Sequence, residues 1–217
     1  MENYNMDLSR RVVIDTENHT LKSFQPNGTF RIPLESESRE SGRLTSIVKF
    51  TPGAKLDQST HSSGEEIVVL EGVLSDEQEN YPAGTYLRIP PGDYRIFSSK
   101  QGCKIFRKSN QLLPLDTENI VINTNNAEWH PGHGNLEVMP LSDNTALVKW
   151  PKGAVFVNHS HYGGEEIFVL KGKFNDEHGS YPKGTWIRSP HLSTHFPFVE
   201  EETIIFVKTG HLLSKTD

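Results

Sequence analysis

The sequence predicts an all-β chain of two tandem jelly-roll barrels, each a double-stranded β-helix, and three observations carry that expectation. The first is a repeat. His61, Gly64-Glu65-Glu66-Ile67, Val69-Leu70, Gly72, Asp76-Glu77, Tyr81-Pro82, Gly84-Thr85, Arg88 and Pro90 all recur one hundred positions later, from His161 to Pro190, without a gap. Chance does not produce such self-similarity at a fixed offset. The second is the scarcity of helical periodicity. Short runs rich in β-branched and aromatic residues stand between Gly and Pro instead, the mark of a sandwich or barrel. The third is that the turn formers fall at matching places in both copies, which favours closed jelly rolls over open sheets.

Taken in order, the first copy predicts strands at Leu44–Phe50, Glu66–Glu71, Gly84–Ile89 and Cys103–Lys108. The second predicts them at Thr145–Trp150, Glu166–Lys171, Gly184–Ser189 and Thr203–Lys208. Pro52-Gly53 and Lys152-Gly153, Ser63-Gly64 and Gly163-Gly164, and the two Pro-x-Gly segments at 82–84 and 182–184 supply the turns. Asp116–Asn126 is polar and reads as a linker, which divides the chain into an N-terminal barrel over 1–120 and a C-terminal barrel over 121–217. Residues 1–25 read as a loosely packed lead-in able to add one strand to a barrel.

Bulk properties narrow the function. The 217 residues suit two domains of ordinary size. A net charge of −6, spread along the chain, gives no basic footprint for nucleic acid. No apolar run approaches the roughly 20 residues needed to span a bilayer. Met1 to Arg11 lacks the apolar core of a secretory signal. Cys103 is the only cysteine, so disulfides and multi-cysteine zinc sites are excluded and a cytoplasmic location is expected. Cys103 itself should pack in its strand beside Ile105.

The copies differ where chemistry is expected. His159-Ser160-His161 places two imidazoles on one face of a strand. After the Tyr162-Gly163-Gly164 turn, Glu165 or Glu166 can bring a carboxylate to the same point. His195, or the nearby His191, can close the shell from a later segment. Imidazole and carboxylate donors together suit divalent Zn, Fe, Mn or Ni. Such a set also leaves positions open for water or substrate. In the first copy His61 and Glu65 remain, but Ser59 and Arg95 replace the other two ligands. The fixed positive charge of Arg95 should pair with Glu65 or with an anionic small molecule. That barrel is therefore expected to hold no metal firmly.

The run from His159 through Gly163-Gly164-Glu165-Glu166 to Gly172, followed by Tyr181-Pro182-Lys183-Gly184 and Pro190 to His195, resembles the metal-binding motifs of the cupin superfamily. More narrowly, it resembles the ChrR-like cupins, and the resemblance covers both repeats from about Phe30 onward. It implies a two-barrel bicupin with metal ligands at His159, His161, Glu165 and His195, Zn or Fe being favoured. Around them, Glu166 is expected to be structural or to orient a ligand, Trp186 and Arg188 to line the pocket or face outward together, and Tyr162 to sit at the entrance.

Two functions follow from the resemblance. One is a metal-binding protein that senses or binds a small molecule. The other is an Fe(II)-dependent dioxygenase acting on an oxygen-chelating, β-diketone-like substrate. The ChrR namesake grips a sigma factor through an additional N-terminal zinc-bound domain. Residues 1–25 are too few for that domain, and one cysteine cannot form its motif, so direct sigma-factor binding is not expected. A homodimer through exposed sheet edges is a further expectation.

Overall fold

The computed structural model describes residues 4–20, 22–25, 28–37, 42–56 and 63–213. Among them every regular element is a strand, and every strand ladder is antiparallel. No helix among these residues is long and apolar enough to cross a membrane.

The chain forms two compact units. One comprises Met1–Met6 with Thr20–Ala127, the other Asp7–His19 with Glu128–Asp217. In the first, the main sheet runs Ile120–Asn123, Thr85–Ile89, Glu65–Ser75, Cys103–Ser109, Leu44–Phe50, Thr29–Ser36 and Lys22–Gln25. In the second, the order is Val12–Asp15, Thr185–Ser189, Glu165–Lys171, Thr203–Thr209, Thr145–Trp150, Glu137–Ser142 and His130–Pro131. The two sheets match position for position. Short ribbons complete each jelly roll; in the second unit they are His159–Ser160 with Thr194–His195, and Lys173–Asp176 with Gly179–Pro182.

Sequence repeat and structural unit are one strand out of step, which shifts the expected division at 120/121. Val12–Asp15 precedes the first repeat but pairs with Thr185–Arg188 of the second unit. Ile120–Asn123, in the stretch read as a linker, pairs with Thr85–Arg88 of the first. Each of these strands covers what would otherwise be a bare edge, the usual remedy for exposed ladder groups.

Side-chain parity then fixes what faces inward. In the second unit Ile167, Val169, Ile187 and Ile205 point into a core with Trp150, Phe174 and Tyr181. Ile67, Val69, Leu87 and Ile105 do the same in the first. Because successive residues on a strand alternate faces, Glu65 and Glu165 share the inward face of their strands, and Glu66 and Glu166 point the other way. Cys103 is buried in the first core beside Ile105.

Candidate metal centre

Three imidazoles converge at the inward face of the second unit. His159 and His195 are cross-strand partners in the short ribbon. His161 follows at its end, its amide donating to the Ser193 carbonyl and its carbonyl accepting from Leu192. The Nε2 atoms of His161 and His159 each lie 3.2 Å from Nε2 of His195. The side chain of Glu177 braces the same ribbon by accepting the Phe196 amide at 2.8 Å.

The carboxylate arrives from the glycine turn. Gly163 and Gly164 both adopt positive φ, 73° and 75°, which reverses the chain directly into the strand beginning at Glu165. Side chains there would collide: a Cβ on Gly164 would stand 2.7 Å from Leu212 Cδ1 and 2.8 Å from the Ser189 carbonyl. Glu165 Oε1 thereby comes to 3.3 Å from His161 Nε2, and Oε2 to 3.6 Å from His195 Nε2.

Electrostatics leaves the imidazoles ready for a cation and holds the carboxyl of Glu165 protonated in the absence of one. Burial, and then the neighbouring His159, pushes His161 down to about 4. Burial, followed by His159 and His161, does the same to His195. Both rings are therefore neutral at physiological pH, with lone pairs to offer. Nδ1 of His159 lies 2.8 Å from the Val157 carbonyl, which can only accept, so the proton sits on Nδ1 and Nε2 is left as the donor to a metal. Burial, and then Asp176, pushes Glu165 up to about 8, with Arg11 opposing.

The donor set fits a divalent transition ion. Imidazole nitrogens held about 2.1 Å from one ion at ordinary ligand angles lie roughly 3.0–3.4 Å apart, the spacing found here. The nitrogens of His159, His161 and His195 fall within 4.8 Å of one another. Among the described residues, none gives a hydrogen bond to the buried Glu165 Oε2. Such an orphaned carboxylate oxygen is costly unless a cation meets it.

Other expected residues are placed elsewhere. Glu166 faces away from the cluster and accepts the Trp186 indole N–H at 2.7 Å, with His211 Nε2 at 2.9 Å from its other oxygen. Trp186 and Arg188, expected to line the pocket or face outward together, share that opposite face. The Arg188 guanidinium lies 5.8 Å from the Trp186 ring centre and donates to the Asp7 carbonyl at 2.9 Å. They do not line the site, because the strand's inward positions are Ile187 and Ser189, which pair with Ile167 and Glu165. Tyr162 is exposed and packs edge-on against His191, whose Nδ1 accepts the Gly163 amide at 2.8 Å. His191 therefore braces the turn.

In the first unit the arrangement departs from expectation. His61 and Ser59 lie outside the described residues. Arg95, expected to meet Glu65 or an anionic small molecule, pairs with Asp76 at 3.4 Å and Asp93 at 3.0 Å, and donates to Tyr81 Oη at 3.3 Å. Glu65 is taken by Arg107, whose Nε donates to Oε2 at 3.1 Å and whose Nη2 donates to Oε1. Sequence reasoning misses Arg107 because the run of identities between the repeats ends at Pro90. Extending the alignment to the last strand sets Arg107 against Val207 and exposes the exchange. Arg11, which sequence reasoning also misses, performs the Arg95 task in the second unit by donating Nη2 to Asp176 at 2.7 Å and to Tyr181 Oη at 2.8 Å.

A family model described as the ChrR cupin-like domain matches the chain twice, over residues 9–113 and 117–213. No curated protein sequence matches it. Among solved structures, a candidate dioxygenase from Nostoc punctiforme superposes with a TM-score of 0.79 at 18% identity, covering 95% of this chain and 85% of that one. A cupin 2 conserved barrel domain protein from Leptotrichia buccalis gives 0.63 at 13% identity over 94% and 98%. Oxalate decarboxylase from Bacillus subtilis gives 0.60 at 11% identity over 92% and 76%. At these identities the likeness is one of fold.

Proposed function

Because the chain belongs to the ChrR cupin-like family, we propose that it is a metal-binding bicupin holding one divalent transition ion per chain, on His159, His161, His195 and Glu165. Its site binds or senses a small molecule with oxygen donors. The observation that carries this reading is the convergence of three imidazole nitrogens on the buried, partnerless Oε2 of Glu165. Nitrogen and oxygen donors of this kind favour Zn or Fe over harder cations such as Ca. A bound ion would orient a chelating ligand and polarise its oxygens.

The protein's own residues do the rest. The Val157 carbonyl fixes the His159 tautomer. Phe156, 4.7 Å from the His159 ring, and Phe174, 6.2 Å from that of His195, back two of the imidazoles with hydrocarbon. The lone cysteine suits a reducing, cytoplasmic setting.

Elemental analysis of the purified protein tests the reading: about one ion per chain is expected. His159→Ala should lose the ion while the fold persists. A wild type that takes up no Zn(II) or Fe(II) overturns the reading.

The second reading, an Fe(II)-dependent dioxygenase, is favoured by one feature. The three imidazoles by themselves make a group of donors within 4.8 Å of one another, as a three-histidine site requires, and the Nostoc structure carries a candidate dioxygenase assignment. Oxygen consumption by Fe(II)-loaded protein with a panel of β-diketones or enols decides for it. Silence across the panel leaves the binding role.

A further inference from the structure

Both units bury a glutamate at the same place. Glu65 stands opposite Ile89 and Ser109, and Glu165 opposite Ser189 and Thr209. A buried carboxylate needs a counter-charge. In the second unit no side chain among the described residues donates a hydrogen bond to Oε2 of Glu165. Two positions from Thr209, on the same face, stands Val207, packed against the apolar core. In the first unit the equivalent residue is Arg107, which meets both oxygens of Glu65 and is 5% exposed. The register confirms the equivalence, since Arg107 pairs with Ile67 and Val207 with Ile167.

We propose that the Arg107 guanidinium is the resident cation of the first barrel, meeting the glutamate that in the second barrel is left for a divalent ion, and that an arginine at position 107/207 is enough to hold metal out of a barrel. This rests on the metal reading of the second unit and extends it to the first. The guanidinium keeps its charge at any working pH. It meets both carboxylate oxygens in a two-pronged contact, and its fixed charge repels an incoming dication. Arg95, the residue that replaces His195, does not supply this counter-charge, because it is turned to Asp76, Asp93 and Tyr81. In the second unit Arg11 serves the Asp and Tyr from just before the Val12–Asp15 strand, which frees position 195 for an imidazole. The first-unit residue matching Arg11 in register is Asn119, which donates to Asp93 at 3.0 Å.

Zinc uptake after chelation, reloading with Zn(II) and gel filtration tests the assignment. Val207→Arg should lose the zinc of the second unit, while Val207→Met, of similar bulk but uncharged, should keep it. Zinc bound by the wild type and kept undiminished by a folded Val207→Arg variant overturns the proposal alone. Circular dichroism identifies any variant that misfolds. A wild type without zinc overturns the metal reading of the second unit and the proposal with it.

Discussion

Arg11 donates Nη2 to Asp176 Oδ2 at 2.7 Å, and so takes over in the second unit the part that Arg95 plays toward Asp76 in the first. The acceptors keep their places in both repeats; the donor comes from a different segment of the chain. Asp176 is almost fully buried, and Arg11 is the cation on its Oδ2. Arg11→Met should therefore lower the unfolding free energy by about 1–3 kcal/mol in urea titration, the cost of stranding a buried acceptor. A change below about 0.5 kcal/mol would class the pair with ordinary surface bridges.

Trp186 and the metal centre should respond independently. Trp186→Phe removes the indole donor from the buried Glu166 and should cost about 1–3 kcal/mol. Because the ring lies on the face away from the histidines, metal content should stay at the wild-type level. Coincident loss of metal would mean that the two faces communicate.

The glycine turn allows a cleaner contrast. At Gly164, φ of +75° and the Ser189 carbonyl and Leu212 both oppose a Cβ, whereas at Gly153, with φ of +79°, nothing lies within 4 Å. Gly153→Ala should bring only backbone strain of about 1 kcal/mol. Gly164→Ala should exceed it by a further 1–3 kcal/mol or so through the clash and lower metal affinity by displacing Glu165. Equal effects of the two substitutions on zinc titration would show that the turn does not position the carboxylate.

Cys103 provides a pH test. Burial pushes its thiol up to about 11, partly offset by a hydrogen bond with Ser99. A thiol raised in this way favours the folded state below its unfolded value near 9, and that contribution is lost as pH rises from about 9 through 11. At pH 8 the native protein should react with a thiol reagent far more slowly than the urea-unfolded chain, and the rate should climb toward pH 11. Fast native labelling at pH 8 would contradict the buried placement.

Much of this architecture is legible in the amino-acid sequence. Leu44–Phe50 and Thr145–Trp150 form over the expected residues, and the other six expected strands form within a few residues of their expected ends, Glu65–Ser75 running longest. The apolar runs there are short and bounded by turn formers, so pattern and structure agree. The partner of a strand is another matter. Val12–Asp15 looks extended in the sequence, but nothing local says that it pairs with Thr185–Arg188. For Trp186 and Arg188, parity shows only that they share a face. It takes the pairing of Ser189 with Glu165 to show that the even positions face away from the histidines. Arg107 lies where the identity between repeats has faded, and only the β register aligns it with Val207.

The early position of Val12–Asp15 has a consequence for synthesis. These residues leave the ribosome well before Thr185–Arg188, the partner that holds them. The second barrel therefore cannot close until that later strand is out, and a Val-Val-Ile stretch waits unsheltered in the meantime. Losing Asp7–His19 would damage the far half of the molecule rather than the near one.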